Sequence, residues 1–151
     1  MAEATRVKPV RIHWNKKKCT NCMSCVIVCS ERHFGMSAPS RARIRVLVDV
    51  LSGEYDAQYC RQCRNAPCAA ACPEEAIQFD DELHAWLVDD AACTGCGECV
   101  EACPFDACWL DPISGLSIKC DLCQGKTRCV EICPPEALSV RGREEEASSG
   151  E

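Results

Sequence analysis

Cys93-Thr-Gly-Cys96-Gly-Glu-Cys99-Val-Glu-Ala-Cys103-Pro104 decides how this chain folds. Three cysteines stand at every third position, a fourth follows four residues later, and proline closes the run. That spacing wraps a 4Fe–4S cluster in one tight loop. Working outward, the run recurs three times with small edits: as Cys19, Cys22, Cys25 and Cys29, as Cys60, Cys63, Cys68 and Cys72, and as Cys120, Cys123, Cys129 and Cys133. Sixteen of the 17 cysteines thus fall into quartets, and Cys108 alone is left over.

Composition supports metal rather than an oily interior as the organiser. The 47% hydrophobic content counts cysteine; without it roughly 36% remains, a thin supply for a 151-residue chain with three Phe, two Tyr and three Trp. Small folds compensate with disulfides or metals. Residues 1–18 show no apolar leader and no twin-arginine pair, but spread Arg6, Lys8, Arg11, Lys16, Lys17 and Lys18. A reduced, cytoplasmic setting is therefore expected, where cysteines serve as ligands. No run of apolar residues approaches a membrane span. Zinc is the main metal alternative, yet a structural zinc site takes two separated pairs of ligands, not three cysteines in one loop.

The net charge of −6 hides an asymmetry. Residues 1–50 hold 10 Lys/Arg against 3 Asp/Glu, and residues 51–151 hold 7 against 20. The basic half offsets anionic clusters or offers a docking face to an acidic partner. Nucleic acid is not expected, because no aromatic platform accompanies the basic stretch.

In chain order, Val10 to Trp14 alternates as a strand, and the segment from Cys25 onward should make a helical turn that swings Cys29 away. Ser30 follows Cys29 where the other runs have Pro73, Pro104 and Pro134, so this exit lacks the restriction proline imposes on its predecessor. Residues 43–50 and 54–59 read as a hairpin turned at Ser52-Gly53, and residues 76–80 and 85–89 as another. Residues 105–118 supply a Pro112/Gly115 turn and a short strand, and residues 137–140 a last strand. The acidic segment 144–151 is expected to be disordered.

In two-cluster ferredoxins the fourth cysteine of each run ligates the other run's cluster, so four runs must pair. The 21-residue step from Cys72 to Cys93 fits one hairpin, which makes 60–104 an inner two-cluster unit. The first and fourth runs then pair as an outer unit, 1–34 with 105–143, with 35–59 as a β-hairpin insertion. The expected fold class is α+β: two ferredoxin-like units nested one inside the other, with short strands and helices around the clusters. Four ligand sets follow: Cys60, Cys63, Cys68 and Cys103; Cys93, Cys96, Cys99 and Cys72; Cys19, Cys22, Cys25 and Cys133; Cys120, Cys123, Cys129 and Cys29. Sequential pairing competes, but needs a 31-residue step inside one unit and a 17-residue step inside the other. Cys108 is expected to be a small buried residue, and His13, His33 and His84 to be surface or structural side chains. Gly95 and Gly97 would let backbone amides approach sulfur. Val26, Ile27, Ile77, Val100, Ile118, Val130 and Leu138 would form an apolar shell. All-cysteine ligation in acidic surroundings predicts low reduction potentials.

Cys19 to Cys29 followed by Arg41-Ala-Arg-Ile-Arg-Val, Tyr59-Cys-Arg-Gln-Cys63 with Ala66-Pro67-Cys68, the whole third run, and Lys119-Cys-Asp-Leu-Cys123 to Cys133-Pro134 carry a family resemblance. The chain resembles the four-cluster iron–sulfur subunits of molybdenum and tungsten oxidoreductases, of the dimethyl sulfoxide reductase and formate dehydrogenase type. It is also similar to hydrogenase and carbon monoxide dehydrogenase electron-transfer subunits, and looks most like the small subunit beside tungsten aldehyde oxidoreductases. The resemblance implies the nested pairing and four 4Fe–4S clusters. It also implies a larger tungsten- or molybdenum-pterin catalytic subunit as partner, and a further redox partner such as a flavin or ferredoxin-linked subunit. The sequence offers no nucleophile–base pair, phosphate loop or pterin ligand set, so a non-catalytic electron-transfer component is expected rather than an enzyme. A diffusible polyferredoxin and an inert structural metal protein are the competing classes. A wire open at both ends would also let copies stack end to end.

Overall fold

Each cysteine run opens as a loop and closes as a short helix, and the residue after its last cysteine decides how long that helix is. The structure, a computed structural model, describes residues 10–141. The first run leads into α1 (Ser24–Phe34), and the later runs into α2 (Pro67–Ala71), α3 (Glu98–Ala102) and α4 (Arg128–Ile132). The three short helices stop at Cys72, Cys103 and Cys133, whose backbones are extended (ψ 114°, 116° and 109°), as the following proline demands. Ser30 imposes no such stop. Its hydroxyl instead donates to the Ile27 carbonyl at 2.9 Å, and α1 runs for 11 residues to a left-handed Gly35 cap. The helical turn expected after Cys25 is therefore a three-turn helix.

Strands join these runs in antiparallel pairs. β1 (Arg11–Trp14) pairs with β8 (Leu138–Arg141), placing Trp14 opposite Leu138 and bringing the two ends of the described chain together. The hairpins are β2 (Ile44–Val48) with β3 (Tyr55–Tyr59), and β4 (Ile77–Asp80) with β5 (Ala85–Val88). A smaller hairpin joins β6 (Trp109–Leu110) to β7 (Ser117–Ile118). The architecture is thus small and mixed, α+β in class. The segment 144–151 lies outside the described residues.

Burial divides in two. Ile12, Val26, Ile44, Val46, Leu122 and Leu138 lie in one apolar cluster, built from α1, α4, the β1–β8 pair and the β2–β3 hairpin. Ile77, Trp86, Cys99 and Cys108 lie in a second, beside α2 and α3. Residues 35–59 are tied to the first run: the Trp14 amide donates to the Tyr59 hydroxyl at 3.2 Å, and the Tyr55 hydroxyl donates to the Cys19 carbonyl at 2.9 Å. Ile27 departs from the expected shell. It is 42% exposed, because α1 turns Val26 and Val28 inward and leaves Ile27 between them facing out.

The β6–β7 hairpin packs where spacing alone would not put it. Sequence order places 105–118 with the fourth run, yet Ser117 donates its amide to the Cys93 sulfur at 3.4 Å, and Cys108 packs against Cys99. Its other side is fastened to 35–59. Trp109 Nε1–H donates to the Ala42 carbonyl at 3.2 Å, and the Arg45 guanidinium lies 3.8 Å over the indole ring. Arg41 makes a two-pronged pair with the buried Asp111 carboxylate at 2.8 and 2.7 Å, which holds Asp111 well below the usual carboxylate range.

Candidate metal centres

The sixteen predicted ligand residues line four cavities, four to each. Cys60, Cys63, Cys68 and Cys103 line one, and Cys72, Cys93, Cys96 and Cys99 another. Cys19, Cys22, Cys25 and Cys133 line a third, and Cys29, Cys120, Cys123 and Cys129 a fourth. In each, three sulfurs come from one run and the fourth from another. The packing of α2 on α3 and of α1 on α4 makes this exchange, because each helix carries its run's last cysteine toward the neighbouring loop. The same three-plus-one set of thiols around each fits one kind of occupant, a 4Fe–4S cluster. Cys22 and Cys96 are exposed, whereas the remaining cysteines are wholly or partly buried.

Backbone N–H groups are aimed at the sulfurs, a contact that stabilises the anionic cluster. Ala76, Ala107 and Ala137 donate to Cys72, Cys103 and Cys133, each at 3.3 Å. All three bonds arise from one repeat, Cys-Pro-x-x-Ala, whose fourth residue (Glu75, Asp106 or Glu136) turns left-handed at φ of 50–53°. The alanines are buried. The repeat is visible in the sequence, but counting cysteines passes over it. In the proline-free first run, the equivalent bond comes from Arg43, whose amide donates to Cys29 at 3.1 Å.

Left-handed backbone also recurs two residues after the first cysteine of each run, at Asn21, Gln62, Gly95 and Leu122. Only the third run uses glycine. There a Cβ would run into the Gly115 carbonyl, so close approach by the β6–β7 turn, more than sulfur contact, requires Gly95. The amide reaching Cys93 belongs to Ser117, not to a glycine.

Burial first, and the crowding of neighbouring sulfurs second, push the Cys25 and Cys68 thiols up to about 11 and raise Cys120 and Cys129 as well. These groups hold their protons at neutral pH, so binding a metal through them would release protons. Cys99 goes the other way: the Cys108 thiol donates to it at 3.6 Å, Ser117 Oγ lies 3.2 Å away, and both favour the thiolate. Cys108 is buried, as expected, and also lines the cavity of Cys60, Cys63, Cys68 and Cys103, so it stands between two centres.

Three polar side chains are buried or half-buried against the cysteine sets; His33 has the structural role expected of it, and Gln62 and Lys119 escaped the sequence reading. His33 presents Nδ1 to the Cys29 carbonyl at 2.8 Å and Nε2 to Asp121 at 2.9 Å. Burial opposes its charge, but Asp121 and Cys29 raise it to about 9, and an imidazolium lies beside Cys29 at neutral pH. Gln62, 2% exposed, accepts from the Trp86 amide at 2.7 Å and donates to the Cys120 carbonyl at 2.9 Å. Lys119, also 2% exposed, donates from Nζ to the Trp86 carbonyl at 2.6 Å. Burial would lower it, yet the sulfurs of Cys60, Cys68 and Cys120, once they are thiolates, outweigh that and raise it. A lysine or glutamine that is solvated in most folds gives no local signal that it will be buried.

Run spacing, cavities and sulfur-directed amides together define an iron–sulfur protein, and the chain belongs to the 4Fe–4S dicluster domain family, whose profiles match residues 51–143 and 18–76. Among relatives, it is 39% identical over 108 residues to the aliphatic sulfonate oxidoreductase polyferredoxin-like subunit of Pyrococcus furiosus, covering 72% of this chain and 62% of that protein. It is 32% identical to the thiosulfate reductase electron transfer subunit PhsB of Salmonella typhi, over 87% of this chain and 70% of the relative. Among solved structures, it is similar to a chain of the active site complex BamBC of benzoyl coenzyme A reductase in complex with benzoyl-CoA. The TM-score is 0.52 and the identity 28%, over 89% of this chain and 80% of that one. The chain therefore spans between three fifths and three quarters of these two relatives' lengths. No helix among the described residues is long and apolar enough to cross a membrane.

Proposed function

We propose that the four cysteine sets hold four 4Fe–4S clusters in two nested ferredoxin-like units, and that the chain is the non-catalytic electron-transfer subunit of an oxidoreductase complex. The clusters supply one-electron redox chemistry; the chain's residues position them, exclude water and set the route. The observation that carries the reading is the grouping of three cysteines from one run with one from another around each of four alike cavities.

A linear order is supported by what lies between the sets. Cys108 touches Cys99 and lines the Cys60 cavity. Gln62 joins Cys60, through its own amide at 3.4 Å, to the Cys120 carbonyl. The packing of α1 on α4 sets the Cys29 group beside the Cys25 group. The order is then the Cys93 set, the Cys60 set, the Cys120 set and the Cys19 set, with exposed Cys96 and Cys22 at the two ends. A wire open at both ends suits a catalytic subunit at one end and a second redox partner, flavin- or ferredoxin-linked, at the other. The catalytic subunit we propose is a larger tungsten- or molybdenum-pterin protein of the aldehyde oxidoreductase kind, working in the cytoplasm.

Native purification under anaerobic conditions, with iron, tungsten and molybdenum measured on the product, tests this reading. The chain is expected to elute with a larger subunit containing tungsten or molybdenum. Elution alone, with reversible reduction intact, would instead make it a diffusible polyferredoxin. Iron that neither reduces nor reoxidises would make it an inert structural protein.

A further inference from the structure

Lys119 is the one lysine among the described residues withdrawn from solvent; Lys16, Lys17, Lys18 and Lys126 are exposed. Its side chain is fully buried, and it lines the cavity of Cys60, Cys63, Cys68 and Cys103. Its Nζ is anchored on the Trp86 carbonyl, and no carboxylate among the described residues bonds to it. The cations beside the Cys29, Cys120, Cys123 and Cys129 cavity are placed differently: His33 and Arg43 both face Asp121, at 2.9 and 3.3 Å. Arg61 also lines the Cys60 cavity, but its guanidinium lies over the Tyr59 and Phe105 rings, and no lysine or arginine lines either of the two end cavities. A charge held in the interior acts with much less screening than one in water.

Resting on the cluster reading above, we propose that the Lys119 ammonium sets the reduction potential of the centre held by Cys60, Cys63, Cys68 and Cys103, making it the first of the four to accept an electron. Reduction adds one electron to a site already near −2 (about −3 afterwards). A buried positive charge favours the more negative state. The electron comes from a low-potential one-electron donor, dithionite in the test; no bond forms or breaks, and no proton moves. Lys119 touches a ligand and the cavity wall but takes no electron, so it is a positioning charge. Its place inside the chain would give electrons arriving from either end a common resting point.

The test is a dithionite titration of the full, cluster-loaded chain followed by electron paramagnetic resonance. The spectrum of the Cys60-set centre is identified by its absence from Cys103→Ala. Lys119→Met removes charge and hydrogen bond together, whereas Lys119→Gln removes the charge but keeps an N–H donor for Trp86. Both are expected to lower that centre's one-electron equilibrium constant at least tenfold, about 59 mV, and the other centres less. An unmoved potential in both variants, or a potential restored in Lys119→Gln, would overturn the proposal. Should the neutral variants fail to load, the unsubstituted protein labelled with 15N-lysine decides. A nitrogen coupling on the first centre reduced supports the assignment, and its absence there overturns it. Iron and sulfide at the full four-cluster level keep the cluster reading intact whichever way the potential falls.

Discussion

A chain carrying Cys103→Ala is expected to hold about 12 irons in place of about 16, and the missing four should come from the site of Cys60, Cys63 and Cys68 rather than from the run in which Cys103 sits. The reason is geometric. Pro104 holds Cys103 extended at the end of α3, and that turn aims its sulfur into the Cys60 cavity, away from Cys93, Cys96 and Cys99. Double replacement separates this from local ligation. If Cys103 and Cys60 serve one centre, Cys60→Ala with Cys103→Ala should lose no more iron than either alone. Cys93→Ala with Cys103→Ala should fall to about 8 irons, because two centres are then broken. Local ligation predicts the reverse pattern. Iron and acid-labile sulfide determination on anaerobically prepared variants reads the outcome.

Much of this arrangement is legible in the sequence, because ligand spacing and proline are local signals. The runs, the hairpins at 44–59 and 77–88, and the longer exit after Ser30 can be read from residues close in the chain, and the pairing of the strands near Trp14 and Leu138 follows from matching the first run with the fourth. What stays hidden depends on contacts between distant segments. Nothing near Trp109 in sequence says that its indole will reach Ala42, and nothing near Lys119 says that the Trp86 carbonyl will take its charge indoors. Ile27 looks like shell from its type alone; only the full length of α1 shows that its position faces outward. His33 likewise acquires its partner, Asp121, from 88 residues away. The Cys-Pro-x-x-Ala repeat is a different case, since it is local and present three times, and it becomes meaningful once each alanine amide is seen to meet a sulfur.

Trp109→Ala is expected to produce the largest loss of stability outside the ligands, about 3–5 kcal/mol. Trp109 is 6% exposed and ties the β6–β7 hairpin to residues 42–45, so its loss leaves a cavity at the junction and frees the Arg45 guanidinium. The hairpin in turn presents Ser117 to Cys93 and Cys108 to Cys99, so loosening it should expose the Cys93 centre first. Trp109→Phe keeps most of the ring but gives the buried Ala42 carbonyl no donor, a cost of about 1–3 kcal/mol. Guanidinium bleaching of the visible cluster absorbance, at a fixed anaerobic incubation time, should rank the alanine variant least stable and phenylalanine between it and the parent. Equal midpoints for all three would show that the hairpin is held by the metal alone.

Both expectations depend on iron–sulfur clusters occupying the four cysteine cavities. The direct measurement is iron, sulfide and zinc per chain in anaerobically prepared, redox-active protein. Four clusters predict about 16 irons with matching sulfide and no zinc; far fewer irons, or zinc in their place, would contradict the account.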